Sequence, residues 1–371
     1  MNPYRKVRVL IVDDSAMVRK VLAMGLAGDP GLDVVGQASS AEVARAMMIE
    51  LRPDVVTLDL EMPDMDGLTF LRSYMPAMPV PTVIISALTR SSQHVILQAM
   101  QAGAVDVISK PKPGVGEGLT CIMQNICARV LAAAGARVGP ALQTAQSPAT
   151  ELSCGVTYCP GWIHAIGAST GGVQALSRIL PHFPVNSPAI LIVQHMPEGF
   201  TAAFATRLDQ LCQMNVREAK DGDLVERGVV LLSPGGSQHM VLRKHGQEFR
   251  LAMIAGDPVC YSRPSVDVLF QSIASLANRS CSAALLTGMG RDGAAGLLAI
   301  RKAGGRSFAQ DEASSVVFGM PLAAWELGAA EALVPLDDIP RRLALAAIHA
   351  PAVLRPARGS LWQQSSTEFR E

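Results

Sequence analysis

The 371-residue sequence predicts an α/β protein built from two doubly wound domains. Its length exceeds what one ordinary hydrophobic core requires. Hydrophobic residues make up 49% of the chain and charged residues 17%, a composition typical of folded rather than disordered chains. Short β-branched runs alternate with helical patterns in both halves, which indicates parallel sheets with helices on their faces. We therefore expect two α/β units.

The first half alternates five strand-like runs with five helical patterns. Buried strands that alternate with helices favour a five-stranded parallel sheet, and we place this domain at residues 5–130. The stretch 131–160 is rich in Gly, Pro, Ser and Thr and lacks apolar periodicity, so we predict a linker there. The predicted strands are 7–12, 33–36, 54–60, 81–87 and 104–110, and the predicted helices are 16–26, 40–51, 66–74, 91–101 and 118–134.

A second α/β pattern fills residues 161–348. Its apolar runs predict another doubly wound, mostly parallel sheet with one added hairpin. Residues 349–371 have the composition of a loose tail. The predicted strands are 162–167, 189–194, 229–233 and 283–287, with the hairpin across 239–254.

Charge, cysteines and hydropathy restrict the possible partners and compartment. The chain has 32 basic and 32 acidic residues, which argues against nucleic acid or an anionic membrane as the main partner. Its seven cysteines form no CxxC pair and complete no zinc pattern, so we expect reduced thiols. The N-terminus lacks a signal-peptide core, and no apolar run is long enough to span a bilayer. We predict a cytoplasmic protein with no membrane insertion.

Polar residues follow four strands of the first half. Ligands of open α/β sheets bind beyond the carboxyl ends of the strands, where Asp13, Asp14 and Asp59 would meet. Convergent carboxylates suit Mg²⁺, and Asp59 could then attack a phosphoryl group, with Lys110 and Ser86 contacting the transferred oxygens. A single acidic residue at a loop end is often only solvated, but a set at separate strand ends favours a site.

Four motifs of the first half, "VDDSAMVR", "LDLEMPDMDG", "ISA" and "SKPKPG", resemble the response-regulator receiver domain, a flavodoxin-like fold. The resemblance covers roughly residues 5–130. It implies that Asp59 is the phosphoacceptor and that a histidine kinase of chemotaxis is the phosphodonor. It also implies roles for six residues: Asp13, Asp14, Asp59 and the carbonyl of Glu61 hold Mg²⁺, while Ser86 and Lys110 sense the phosphate.

Two further positions bear on this resemblance. It implies a cis peptide before Pro111. Val107 stands where many receivers carry an aromatic switch residue, which puts the usual ring-flip signal in doubt.

The stretch "GASTGG" places Ser169 and Thr170 at the seam between a predicted strand and a helix. These residues could cap the helix, and the turn could bind a phosphate at the helix start. A P-loop is excluded because no Lys follows at the required position. The third interpretation is a serine nucleophile on a tight turn.

A serine nucleophile requires a base, and usually an acid that orients the base. His195 follows the apolar run "AILIVQ" and would reach the same sheet edge as Ser169, while His239 is the reserve candidate. Asp292, in "TGMGRDG", would contact the Nδ1 side of the imidazole. The backbone N–H groups of Thr170 and Met289 are the candidate oxyanion donors.

The ordered set "GASTGG", "VQHM", "LSPGGSQHM", "SRPSVDVLF" and "TGMGRDGAAGL" resembles the catalytic domain of the chemotaxis protein-glutamate methylesterases, the CheB family. The resemblance implies a Rossmann-like esterase domain that needs no cofactor. Ser169 would attack glutamate γ-methyl esters on chemoreceptor cytoplasmic helices, and His195 would accept its proton. An acyl-enzyme would form and be hydrolysed, and glutamines would be deamidated by the same chemistry.

Three functions compete at this stage. A phosphorylation-gated methylesterase and deamidase is favoured, with the unphosphorylated receiver covering the esterase site. A non-catalytic regulator is the second, and the Ser169, His195 and Asp292 set argues against it. A general serine esterase or peptidase is the third, and activity on small esters without activity on receptors would favour it.

Overall fold

Two separate parallel sheets organise the chain in this computed structural model. The structure describes residues 5–87, 92–110, 116–139, 156–277 and 279–348. Pro111 and its expected cis peptide, the predicted tail and most of the predicted linker lie outside these residues. The α/β class with two doubly wound sheets is confirmed.

The first sheet has the strand order β2-β1-β3-β4-β5, and all of its pairings are parallel. Its central strands are buried because helices cover both faces, as the apolar runs predict. The strands are β1 (Val7–Val12), β2 (Leu32–Ala38), β3 (Val55–Leu58), β4 (Thr82–Ser86) and β5 (Asp106–Ser109), and the helices are α1 (Ala16–Ala27), α2 (Ala41–Leu51), α3 (Gly67–Tyr74), α4 (Ser92–Gln101) and α5 (Gly116–Ala134).

The second sheet is also parallel throughout, with the order β14-β13-β12-β6-β7-β9-β8, and a two-stranded antiparallel hairpin packs beside it. Two 3-10 turns, Leu180–His182 and Leu336–Asp338, connect its elements. The strands are β6 (Ile163–Ala168), β7 (Ala189–Gln194), β8 (Asn215–Glu218), β9 (Val229–Leu232), β10 (Gln238–His245), β11 (Glu248–Ala255), β12 (Cys281–Leu285), β13 (Arg306–Gln310) and β14 (Ala332–Val334), and the helices are α6 (Gly172–Ile179), α7 (Phe200–Asp209), α8 (Val266–Ala277), α9 (Ala294–Lys302), α10 (Met320–Glu326) and α11 (Ile339–Ala347).

Three strands of this sheet, β8, β13 and β14, were not predicted from the sequence. β8 and β14 are edge strands of four and three residues; β8 contains one apolar residue, and β14 is apolar but too short for a strand signal. The strand order places β6 at the switch point, with β12 on one side and β7 on the other. A crevice at the carboxyl ends of these three strands is where a ligand site is expected.

The two α/β units contact one another closely. Helix α4 of the first unit packs against α6 and α7 of the second. Within the described ranges, no helix is both long and apolar enough to cross a membrane.

A fully buried histidine lies on the central strand β6. His164 is 0% exposed, and its Nδ1 lies 2.7 Å from Ser282 Oγ on the neighbouring strand β12. Burial lowers the pKa of His164 to about 3, because the charged imidazolium would lose its hydration. The folded protein therefore holds this ring neutral.

This burial predicts that acid destabilises the second unit. Between pH 6.5 and the folded pKa of about 3, His164 binds a proton in the unfolded chain but not in the folded chain. The free energy of unfolding therefore falls by about 1.4 kcal/mol for each pH unit in this range. His164→Gln should remove that slope. Urea unfolding followed by tryptophan fluorescence at several pH values measures it, with His182→Asn as the control. Equal slopes in wild type and His164→Gln would contradict the prediction.

Candidate functional site

The predicted carboxylate cluster forms at the carboxyl edge of the first sheet. Ligand oxygens of Asp13, Asp14 and Asp59 lie within 4.8 Å of one another. Lys110 Nζ is 2.8 Å from Asp13 Oδ2 and 2.6 Å from Asp59 Oδ2. Ser86 ends β4, and its carbonyl accepts a hydrogen bond from the Lys110 N–H at 3.0 Å. The structure therefore brings these five predicted residues together.

The electrostatics of this cluster fit a divalent cation. Burial raises the pKa of Asp59 above its usual value, against the opposing effect of Lys110. The three carboxylates and one ammonium carry a formal charge of −2, which Mg²⁺ would balance with the oxygen ligands it prefers. Glu61 lies beside the cluster, because its N–H donates to Asp59 Oδ1 at 3.3 Å.

The Ser169 turn joins β6 to α6 without a side-chain cap. Gly171, at φ +78°, is the N-cap of α6 and provides no side-chain hydrogen bond, so the prediction that Ser169 or Thr170 caps the helix is wrong. The Thr170 hydroxyl donates instead to Asp106 Oδ2 of the first unit at 3.1 Å. The Ser169 N–H donates to Thr287 O at 3.0 Å, which anchors the turn to the loop after β12.

Glycines surround this turn because larger residues would not fit. A Cβ at Gly172 would lie 2.0 Å from Gln194 Oε1, and a Cβ at Gly288 would lie 2.7 Å from the Ser169 Cβ. Both distances are shorter than real Cβ contacts. The close packing around Gly172 and Gly288 fixes the position of the Ser169 Cβ atom.

His195 and Asp292 form a directly hydrogen-bonded pair at the ends of β7 and β12. His195 Nε2 donates to Asp292 Oδ2 at 2.8 Å, so the expectation that Asp292 contacts the Nδ1 side is wrong. The reason is that other groups fix the position of the carboxylate, and the ring turns its Nε2 edge toward it. Nδ1 lies 3.3 Å from Ser262 Oγ.

The start of α8 holds the Asp292 carboxylate. Asp292 Oδ1 accepts from Ser265 Oγ at 2.7 Å and from the Asp267 N–H at 3.0 Å, and Oδ2 accepts from the Val266 N–H at 2.7 Å. Burial acts to raise the pKa of Asp292, but the hydrogen bonds from His195, Ser265 and Asp267 hold it below its usual value. These α8 donors were missed, although the Pro-Ser pair before an apolar run is a helix-start signal that could have indicated them.

The reserve candidate, His239, has a structural role. Its Nδ1 accepts from the Ser265 N–H at 3.1 Å and its Nε2 donates to Asp257 O at 3.0 Å. With both ring nitrogens bound to backbone groups, His239 connects the hairpin to the start of α8 and is not free to act as a base.

The three predicted catalytic residues line one cavity of about 690 Å³. No hydrogen bond joins Ser169 to His195 among the described residues. The N–H groups of Thr170 and Met289 border this cavity and, within the same residues, bond to no acceptor. They are therefore available to an incoming oxyanion.

The first unit forms part of the cavity wall. Arg129 of α5 lines the cavity and pairs with Asp106 of β5, the acceptor of the Thr170 hydroxyl. The Gly171 N–H donates to Val105 O at 3.1 Å, and Gln174 Nε2 donates to two carbonyls before β5 at 2.8 and 2.6 Å. The start of β5 therefore lies directly on the turn that carries Ser169.

Comparisons with known proteins agree with this geometry. A family model described as CheB methylesterase matches residues 164–343, and a response regulator receiver domain model matches residues 9–115. A relative from Cereibacter sphaeroides, named protein-glutamate methylesterase/protein-glutamine glutaminase 2, is 66% identical over 92% of each chain. The chain belongs to the CheB methylesterase family. A relative from Syntrophotalea carbinolica, named protein-glutamate methylesterase/protein-glutamine glutaminase, is 45% identical over 91% of this chain and 97% of its own.

Solved structures from Thermotoga maritima match each unit separately. The CheB methylesterase catalytic domain is 38% identical and covers 50% of this chain and 99% of its own, with a TM-score of 0.49. The response regulator domain of CheB is 34% identical and covers 36% of this chain and 99% of its own, with a TM-score of 0.33. The family resemblance inferred from the motifs is confirmed by the sequence relatives.

The close packing at Gly288 predicts that one methyl group there impairs ester hydrolysis. Gly288→Ala would displace Ser169 and Met320, and we expect a loss of roughly 10²-fold in kcat/KM, because small misplacements of reacting groups are costly. Gly290→Ala adds the same methyl to open space in the same loop at φ +87°. We expect it to lower stability by about 1 kcal/mol while activity is retained. Hydrolysis of p-nitrophenyl acetate measures both variants, and equal losses would contradict the prediction.

Proposed function

We propose that this protein is a phosphorylation-activated serine hydrolase that removes methyl esters from glutamates, and deamidates glutamines, on chemoreceptor cytoplasmic domains. Residues 5–130 act as the receiver, residues 131–160 as the linker and residues 161–348 as the esterase. The His195–Asp292 pair, held by α8 in one cavity with Ser169, carries the proposal. The names of the relatives support the substrate class.

The orientation of the His195 ring supports one nitrogen as the proton-accepting atom. Because Nε2 of His195 faces Asp292, Nδ1 is the nitrogen that accepts the Ser169 proton. Ser169 Oγ attacks the ester carbonyl carbon, and the N–H groups of Thr170 and Met289 stabilise the oxyanion. His195 returns the proton to the departing methanol, or to ammonia from an amide. Water then attacks the acyl-enzyme through the same base, releasing the carboxylate.

In the described arrangement, Ser262 occupies the position at Nδ1 that Ser169 would take. Asp292 remains ionised throughout, because its hydrogen bonds keep its pKa low, and it stabilises the imidazolium. In the proposed mechanism, Ser169 replaces Ser262 at Nδ1 before it attacks the ester.

Strand β5 connects the phosphoacceptor to the esterase. Lys110, just beyond one end of β5, contacts Asp59, and Asp106 at the other end contacts Thr170. A phosphoryl group on Asp59 carries about −1.5 to −2 charges in place of the single charge of the carboxylate, and it pairs with Lys110. Mg²⁺, held by Asp13, Asp14, Asp59 and the Glu61 carbonyl, would neutralise the phosphoryl oxygens. The new pairing favours an arrangement in which β5 leaves the Ser169 turn and opens the cavity.

Methanol release from a methylated chemoreceptor fragment tests the esterase. Ser169→Ala should lower the rate by roughly 10³-fold or more, because it removes the hydroxyl that the proposed mechanism uses to form the acyl-enzyme. Ser177→Ala, in α6 and away from the cavity, is the matched control and should retain wild-type activity. Equal rates in wild type and Ser169→Ala would favour the interpretation that the second domain is a non-catalytic regulator. Activity on small esters alone would favour a general esterase.

The interface predicts that Gln174→Ala raises basal activity. This change removes both hydrogen bonds from α6 to the carbonyls of Met100 and Ala104, so the closed arrangement loses about 1–3 kcal/mol. Receptor demethylation without phosphodonor should rise about 5- to 100-fold. With acetyl phosphate and Mg²⁺, the variant and wild type should converge, whereas Asp59→Asn should show no stimulation. A basal rate unchanged in Gln174→Ala would contradict this gate.

A further inference from the structure

A strained two-residue turn lies at the mouth of the active-site cavity. Val259 and Ser262 pair as an antiparallel bridge, with hydrogen bonds of 3.1 and 2.9 Å between their backbones. The two residues between them, Cys260 and Tyr261, have φ of +50° and +63°. Positive φ at both central positions is the pattern of a type I′ turn, for which Asn-Gly is the favoured sequence. A Cys-Tyr pair is unfavourable there on backbone grounds, which points to a use for the side chains.

The turn directs one residue inward and leaves one in solvent. Ser262 contacts His195 Nδ1 at 3.3 Å, so the turn is anchored to the proposed base. Tyr261 lines the rim of the cavity and is 87% exposed, more than any other large hydrophobic side chain among the described residues. The folded chain gains little burial from this ring, so packing within the protein does not explain it.

Two arginines accompany Tyr261 at the rim. Arg263 and Arg291 line the same cavity and are exposed. Within the described residues, neither forms a salt bridge, and Arg263 Nη1 donates only to the Gly256 carbonyl at 2.9 Å. Asp292, the sequence neighbour of Arg291, is buried and paired with His195. Among the described residues, the rim therefore presents one aromatic ring and two arginines that form no salt bridge.

We propose that Tyr261, with Arg263 and Arg291, is the docking contact for a polypeptide substrate, namely an acidic helix that presents the glutamyl ester. The proposal rests on the proposed function and adds the surface that binds the polypeptide around the ester. The ester group is small and neutral and fits inside the cavity, so the helix around it must lie across the rim. Carboxylates on such a helix complement the two arginines, and the aliphatic stems of its side chains pack on the tyrosine ring.

This surface matters only for substrates that extend beyond the cavity. A small ester such as p-nitrophenyl acetate reaches Ser169 without covering the rim. The discriminating quantity is therefore the ratio of kcat/KM for a methylated chemoreceptor fragment to kcat/KM for p-nitrophenyl acetate. Both are measured on the full chain with acetyl phosphate and Mg²⁺.

The most discriminating variant removes the Tyr261 ring and at the same time gives the turn a sequence that favours its backbone conformation. Cys260→Asn combined with Tyr261→Gly installs the favoured type I′ sequence, so the melting temperature should stay equal or rise. We expect the ratio to fall about tenfold or more, mainly through KM for the receptor fragment. Trp325→Ala removes another exposed aromatic, 46% exposed on α10 outside the cavity lining, and should leave the ratio unchanged. In wild type, higher salt should raise KM for the receptor fragment but not for the small ester.

An unchanged ratio in the double variant would overturn the proposal. An equal loss on both substrates would also overturn it, because the turn would then act only by placing Ser262 and His195. Failure of the proposed function is distinguishable, since Ser169→Ala would then retain receptor hydrolysis whatever the double variant does.

Discussion

The buried carboxylate of Asp292 is the group on which the active site depends. An ionised carboxylate with 2% exposure is stable only when donors satisfy its oxygens, and the start of α8 together with His195 supplies them. The same bonds fix the loop after β12, orient the imidazole and determine which ring nitrogen faces away from Asp292. His239 supports the arrangement from the hairpin by accepting the Ser265 N–H. Removal of the carboxylate would therefore loosen three elements at once.

The second constraint is that the active-site cavity belongs to both domains. Each sheet places polar residues at the carboxyl ends of its strands, and the amino end of β5 meets the carboxyl edge of the second sheet at the turn after β6. Gln174 and Thr170 bond across this boundary to backbone carbonyls and one buried carboxylate, and helix α4 packs beside them. Hydrogen bonds of this kind stabilise the contact between the domains, and water can replace each lost partner when the domains separate.

The sequence was sufficient to predict the two sheets, their central strands and the residues at the strand ends, because buried parallel strands leave a strong apolar pattern. Strands β8 and β14 are short, lie at edges and leave no such pattern. The choice of Nε2 over Nδ1 depends on donors from α8, which is distant in sequence from both His195 and Asp292. The hydrogen bond of the Thr170 hydroxyl goes to Asp106, which lies in the other domain. Periodicity reports burial, whereas ring orientation and cross-domain pairing are properties of the assembled chain.

Under the proposed function, the shared wall of the cavity also limits how fast the enzyme can be switched off. In that mechanism, once Ser169 carries an acyl group, a receptor helix is covalently attached at the place to which Arg129 and the start of β5 would return. Loss of the phosphoryl group would not close the cavity until water had released that helix. Each acylation would therefore outlast the phosphorylation that permitted it, and the lifetime of the acyl-enzyme would set the shortest interval over which hydrolysis can stop.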